Sequence, residues 1–282
     1  MNNMYSQLSA SWFKTIMFHN NHPSYPYRIS KNELYYNDRV LFYEDPILTK
    51  PETTWADPRD ISENELKNRL TWVNNKLVAL KDSDIKFING KPRNPIKTGL
   101  CGRGLLGKYG PNHAADPIIT RFNIFKFDLE FVAVLRKDVP KWAIPGGMVD
   151  PGEEFSVTLR REFTEEAASE CNIKLLDKIF KNGKFVYSGI VYNDPRTTDD
   201  AWIETIVKNY HISYNDSLKL FLTNQNEENH SVKWISCNSI DLYADHKIYI
   251  DIVKNKFYNR IYLLLYIYVL IILLYLYSIF IK

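Results

Sequence analysis

Pro145-Gly-Gly-Met-Val-Asp-Pro-Gly-Glu-Glu-Phe-Ser-Val-Thr-Leu-Arg-Arg-Glu-Phe-Thr-Glu-Glu-Ala-Ala168 is the stretch on which the reading of this chain turns. Its first part, rich in glycine and proline, ends a strand in a loop. From about Ser156 to Ser169 the pattern predicts a helix, because Leu159, Phe163 and Ala167 recur at i, i+4, i+8 and make one apolar stripe. Glu162, Glu165 and Glu166 fall within about 100° of one another on the neighbouring face. Glu162 and Glu166 are a like-charge pair one turn apart, with Glu165 beside them and Glu153 at the mouth of the helix. Their repulsion costs stability unless a cation sits among them. Carboxylate oxygens at this density suit Mg²⁺, and Mn²⁺ as well. The competing reading is a solvated acidic helix face.

Outward from this stretch, strand-like segments rich in β-branched and aromatic residues run over Ile118 to Phe127, Glu130 to Arg136, Phe185 to Tyr192, Trp202 to Tyr210 and Ser231 to Ile235. A second helix is expected from about Ala244 to Phe257. Strands surrounding a few helices indicate an α+β or α/β sandwich. Before them, prolines break up residues 25–94, where the best helix candidate lies between Ser62 and Leu80. Asp60 or Ser62 would cap it, and Glu65 completes a capping box with Ser62.

The run from Gly99 to Gly110 contains a literal G-x-G-x-x-G at Gly102, Gly104 and Gly107. A dinucleotide-binding reading fails on context, because Lys91 to Thr98, with Pro92 and Pro95, does not read as the buried strand such a turn must follow. Tight turns with close backbone approach are expected instead.

The chain has 282 residues, 45% apolar and 24% charged, with a formal net charge of +3. That supports a sizeable core and, without a basic stripe interleaved with aromatics, argues against extended nucleic-acid binding. Cys101, Cys171 and Cys237 form no C-x-x-C pair, which points to a reducing compartment without structural zinc. Residues 1–32 carry no acid and only Lys14, Arg28 and Lys31 as bases, a thin match to a mitochondrial presequence. Ile261 to Ile281 is 21 residues without a charge, preceded by Lys254, Lys256 and Arg260. At ~1.5 Å per residue it is long enough to span a bilayer as a helix. Its tyrosines run through the middle instead of forming belts at the ends, so a membrane anchor and a translated non-coding extension both stand as readings.

Gly147, five residues, Glu153, seven residues, then Arg161-Glu162-Phe163-Thr164-Glu165-Glu166 reproduces the Nudix box, G-x5-E-x7-R-E-U-x-E-E, where U is bulky and apolar. Ala168 and Ser169 depart from the glycine and apolar residue that close the box, which touches the end of the helix and not its acids. The resemblance widens to Gly104 through Arg121, Trp142 through Glu153 and Asp194 through Thr205. These look like the mitochondrial ADP-ribose pyrophosphatase branch of the family. They are also similar to the Nudix-like C-terminal domain of melastatin-type, ADP-ribose-gated channels.

The resemblance implies a Nudix α/β/α sandwich with a smaller N-terminal lobe. It divides the chain into an N-terminal extension (1–24), that lobe (25–115), the hydrolase domain (116–259) and a hydrophobic tail (260–282). It further implies Mg²⁺-dependent hydrolysis of ADP-ribose to AMP and ribose 5-phosphate in an intracellular setting, mitochondrial or cytoplasmic. Glu162, Glu165 and Glu166 would be metal ligands or water-orienting groups, and Arg161 and Glu153 their supporting partners. Gly146 and Gly147 would let backbone approach a phosphate, with Asp194, Arg196 and Asp116 on the substrate. For Asp194-Pro-Arg196 a structural Asx turn is the alternative, and Asn112 and His113 are weaker substrate candidates. The general base stays open among Glu204, Asp199, Asp200, Glu227 and Glu228. A non-catalytic ADP-ribose-sensing module is the other functional reading, but channel domains that have lost hydrolysis depart at the Arg-Glu pair, which is intact here.

Overall fold

The computed structural model describes residues 56–58, 60–80, 84–96, 98, 102–220, 222, 229–239 and 241–280. The presequence-like segment, Cys101, Glu227 and Glu228 lie outside them. In chain order the elements are α1 (Glu63–Arg69), β1 (Trp72–Val73), β2 (Lys76–Leu77), β3 (Lys86–Ile88), β4 (Lys91–Arg93), a 3-10 turn (Gly104–Leu106), β5 (Gly110–Asn123), β6 (Asp128–Arg136), β7 (Trp142–Ala143) and β8 (Gly147–Met148). Then come α2 (Phe155–Ala167), α3 (Ile173–Phe180), β9 (Lys184–Ile190), β10 (Ala201–Ile212), α4 (Tyr214–Ser217), β11 (Asn229–Ser236) and α5 (His246–Phe280). The architecture is α+β. Its main sheet has seven strands, ordered β11-β6-β5-β10-β9, with β7 on β6 and β8 on β5.

The described residues divide into two compact units, one of those up to 116 with 146–162 and 187–207, the other of 117–145 and 163–186 with those from 208 on. In the first, Ser62 caps α1 through the expected capping box with Glu65. The helix stops at Arg69, and Thr71, Asn74 and Asn75 at positive φ turn the chain into the β1-β2 hairpin where a longer helix was expected. Lys91 to Arg93 forms a strand of three residues paired with β3 in a separate two-stranded sheet, not a buried strand of the main sheet. The glycine-rich run behaves as turns: Gly102, Gly104, Gly107 and Gly110 all have positive φ, a region closed to most side chains. Gly110 opens β5, which starts earlier than apolar patterning predicts, because Asn112, His113 and Asp116 are strand residues that hide polar groups.

In the second unit the core gathers Ile119, Val132, Val134, Phe163, Ala167, Leu176, Tyr210 and Val232. β6 carries Val132 and Val134 against β11 in antiparallel register, with Val232 opposite Val134. Phe180 stacks between Phe163 and Tyr210, at 5.8 and 4.7 Å between ring centres. That contact explains α3, a helix the sequence reading missed: Leu176 and Ile179 face the core and Asn172 caps its start. α5 begins with Tyr249, Ile250 and Val253 buried, then continues without a break to Phe280, joining the expected helix and the apolar tail into one element.

Candidate active site

β8 pairs with β5 so that Gly147 lies opposite Ala115, which brings Gly146 beside Asp116. A Cβ on Gly146 would lie 2.8 Å from the Ala115 carbonyl oxygen and collide with the Asp116 carboxylate. A Cβ on Gly147 would lie 2.6 Å from Cδ of Glu162. The two glycines therefore make room for two carboxylates. Asp116, itself buried, accepts a hydrogen bond from Thr205 Oγ1 at 2.5 Å.

Arg161 organises the helix mouth. Its Nε and Nη2 donate to Glu153 Oε1 and Oε2, both at 2.9 Å, and Nη2 also reaches the Met148 carbonyl. Nη1 stands 2.8 Å from Glu162 Oε1. Thr158 Oγ1 donates to Glu153 as well, at 2.8 Å. The Arg161 hydrogen bonds hold the Glu153 carboxyl down at about 2, well below the usual carboxylate range.

On α2 the apolar stripe behaves as its spacing predicts, with Leu159, Phe163 and Ala167 fully buried. Glu162 and Glu166 are each only 8% exposed, whereas Glu165 faces solvent. The unit boundary passes through this helix, leaving Glu162 with the first unit and Glu165 and Glu166 with the second. Two buried carboxylates one turn apart are oxygen donors of the kind a hard divalent ion takes, so they fit such an ion. Among the described residues, no three His, Cys, Asp or Glu side chains converge as a ready-made cage.

Asp194 and Arg196 engage each other. Arg196 N and Nε donate to Asp194 Oδ1, both at 2.9 Å, and Nη2 donates to Oδ2 at 2.7 Å. The Asx turn is thus present, and the guanidinium of Arg196 closes on Asp194, with Asp194 buried and Arg196 partly exposed.

The candidate bases separate. Asp199 accepts from Thr98 N and Oγ1, and Asp200 from Gly102 N and Arg93 Nη1, so both tie down the segment before β5. Glu204, 1% exposed, accepts from Leu80 N at 2.5 Å and Trp202 Nε1 at 3.0 Å, with His113 Nε2 at 3.8 Å. His113 Nε2 is buried without a hydrogen-bond partner among the described residues, and burial pushes its imidazole below the usual value. Thr205, Trp202 and Leu80 were not singled out from sequence. Only Thr205 and Trp202 had a signal, their place beside Glu204 in the Asp194–Thr205 stretch.

Comparison with known proteins decides the family. A model of the NUDIX domain matches residues 120–255. Nudix hydrolase 6 of Caenorhabditis elegans is 45% identical over 223 residues, covering 76% of this chain and 84% of that one. The chain belongs to the Nudix family. A second similar protein, the mitochondrial ADP-ribose pyrophosphatase of Rattus norvegicus, is 40% identical over 235 residues, covering 74% of this chain and 66% of that one. The transient receptor potential cation channel subfamily M member-like 2 of Nematostella vectensis is 42% identical over 179 residues, 56% of this chain but 11% of the channel. Nudix hydrolases generally use a divalent metal, in keeping with the paired acids of α2.

Proposed function

We propose that this Nudix chain is a Mg²⁺-dependent ADP-ribose diphosphatase. Water would attack one phosphorus, the bridging P–O bond would break, and AMP and ribose 5-phosphate would leave with a phosphate each. The observation that carries this reading is the joined network of Glu153, Arg161 and Glu162 packed against Gly147. Hydrolysis of a diphosphate must neutralise its oxygens, activate water and stabilise the leaving phosphate, and a bound Mg²⁺, or Mn²⁺, supplies that electrostatic chemistry.

Glu162 and Glu166, on the buried side of α2, are the ligands we assign. Glu165, on the open side, serves as a further ligand or orients the water. Arg161 holds Glu162 and Glu153 in place and keeps Glu153 charged. Gly146 and Gly147 keep the loop backbone close to the carboxylates and let it approach a phosphate. Asp194 and Arg196 are assigned to the terminal ribose, and Asp116 to the substrate. Arg196, partly exposed and set in place by Asp194, can donate to the hydroxyls of a free ribose. Among the described base candidates, Glu204 is the one we assign, because Asp199 and Asp200 are tied to the segment from Arg93 to Gly102 whereas Glu204 has the His113 imidazole 3.8 Å away. The relative named for ADP-ribose hydrolysis supports this substrate.

The test is turnover with Mg²⁺. ADP-ribose should exceed ATP and NAD in kcat/KM by about 10²-fold, roughly 2.7 kcal/mol of differential transition-state binding. Equal turnover of all three would remove the ribose assignment and leave the family chemistry. Tight binding of ADP-ribose with no turnover would instead make the chain a sensing module.

A further inference from the structure

A cavity of about 400 Å³ lies in the second unit where α5 leaves the core, and its charged lining is Lys184, Lys256 and Arg260 with no carboxylate. Phe185, Phe257 and Leu264 form much of its apolar wall. Lys256, Arg260 and Leu264 recur every fourth residue, so one face of α5 passes from charge to hydrocarbon within two turns. Lys184 joins them from the start of β9, and Lys256 Nζ reaches the Phe185 carbonyl at 3.4 Å to hold the two elements together. Lys247 and Lys254 on the same helix are paired with Asp251, whereas no ion pair joins any of the three cavity cations to a carboxylate among the described residues. Three unneutralised cations around one hollow repel one another and favour a compact anion.

Past Arg260 the helix carries no charge through Phe280, and its described large side chains beyond Ile261 are exposed, Leu264 by 66% and Tyr266 by 67%. Twenty such residues rise ~30 Å, the thickness of a bilayer's hydrocarbon core. A basic cluster at the start of an apolar span is where anionic lipid headgroups meet a protein. The turn after β5 adds exposed apolar groups, Phe125 by 76% and Phe127 by 80%, and its root is fastened to α5 by Phe122 stacked on Phe257 at 5.7 Å. A free phosphate needs the cations alone. The apolar wall running on into the span is what an acyl chain requires.

We propose that α5 anchors the chain in a membrane and that the cavity at its base takes the phosphate headgroup of an anionic phospholipid, independently of the hydrolase reading. The full chain is reconstituted in vesicles of phosphatidylcholine with a minor share of phosphatidylglycerol and extracted in mild detergent, and the lipid retained is quantified. Phosphatidylglycerol should be enriched over phosphatidylcholine by about tenfold relative to the vesicles. The K184Q/K256Q/R260Q variant should lose that enrichment while staying membrane-integrated and keeping its unfolding transition. Lys184→Gln alone, at an exposed position, should lower it severalfold and serves if the triple variant does not fold. Millimolar inorganic phosphate should leave the enrichment unchanged. Absence of enrichment, its survival in both variants, its displacement by phosphate, or a full chain that stays in the aqueous phase would each overturn the proposal.

Discussion

At the scale of single residues, the site is a set of carboxylates held by specific neighbours. Replacing Glu162 or Glu166 by Gln removes one oxygen charge from a buried pair, so kcat with Mg²⁺ should fall by about 10²-fold or more. The fold should persist, because a like-charge repulsion goes with it. A Gln variant that turns over at the wild-type rate in saturating Mg²⁺ would take that residue out of the mechanism. Glu153 makes a different prediction. Its carboxyl is held at about 2 instead of 4.5 by Arg161, so its contribution to stability is complete above the unfolded value and is lost as pH falls between the two. Glu153→Gln should therefore lower the urea midpoint at neutral pH, and the gap from wild type should close below pH 4.5 and vanish near 2. A gap that stays constant with pH would mean the Arg161 pair does not carry the effect.

At the scale of elements, α2 does two jobs with two faces, one of packing and one of chemistry. Phe163 belongs to the packing face and sits in the core with Phe180 and Tyr210. Phe163→Ala should cost about 3–5 kcal/mol of unfolding free energy, measured by calorimetry or denaturant, and should loosen α3 along with α2. A loss below about 1 kcal/mol would show that the core closes over the gap. The strands and α2 were legible because apolar period and glycine punctuation lie within a few residues of each other. The start of β5 was not, because Asn112 and Asp116 read as loop residues until Trp202 and Thr205 supply partners some ninety positions away. The short strand at Lys91 to Arg93 escaped for a related reason: Pro92 and two basic residues give no apolar alternation, and the strand is made only by its pairing with β3.

At the scale of the whole molecule, α5 carries both the last core residues and the apolar extension. A chain ending at Asn259 keeps Tyr249, Ile250 and Val253 and every proposed catalytic residue. It should stay soluble with unchanged turnover, while the full chain should pellet with membranes and resist an alkaline carbonate wash. A full chain released by carbonate would end the anchor reading.

What the amino-acid sequence determined by itself is whatever depends on neighbours within a turn or two. That covers the spacing of Gly147, Glu153, Arg161, Glu162 and Glu166, the buried stripe of α2, the positive-φ glycines and the uncharged run after Arg260. Each follows from local sterics, helical period or local charge, and none needs a distant partner. Tertiary structure alone decided that Glu162 and Glu166 are buried while Glu165 is not, and that Asp199 and Asp200 hold a loop. It alone placed Glu204 on the Leu80 amide 124 residues away, and brought Lys184 to Lys256 and Arg260 around one cavity. Those pairings depend on how strands and helices pack, and packing joins residues by complementary volume and charge over distances that no local pattern encodes.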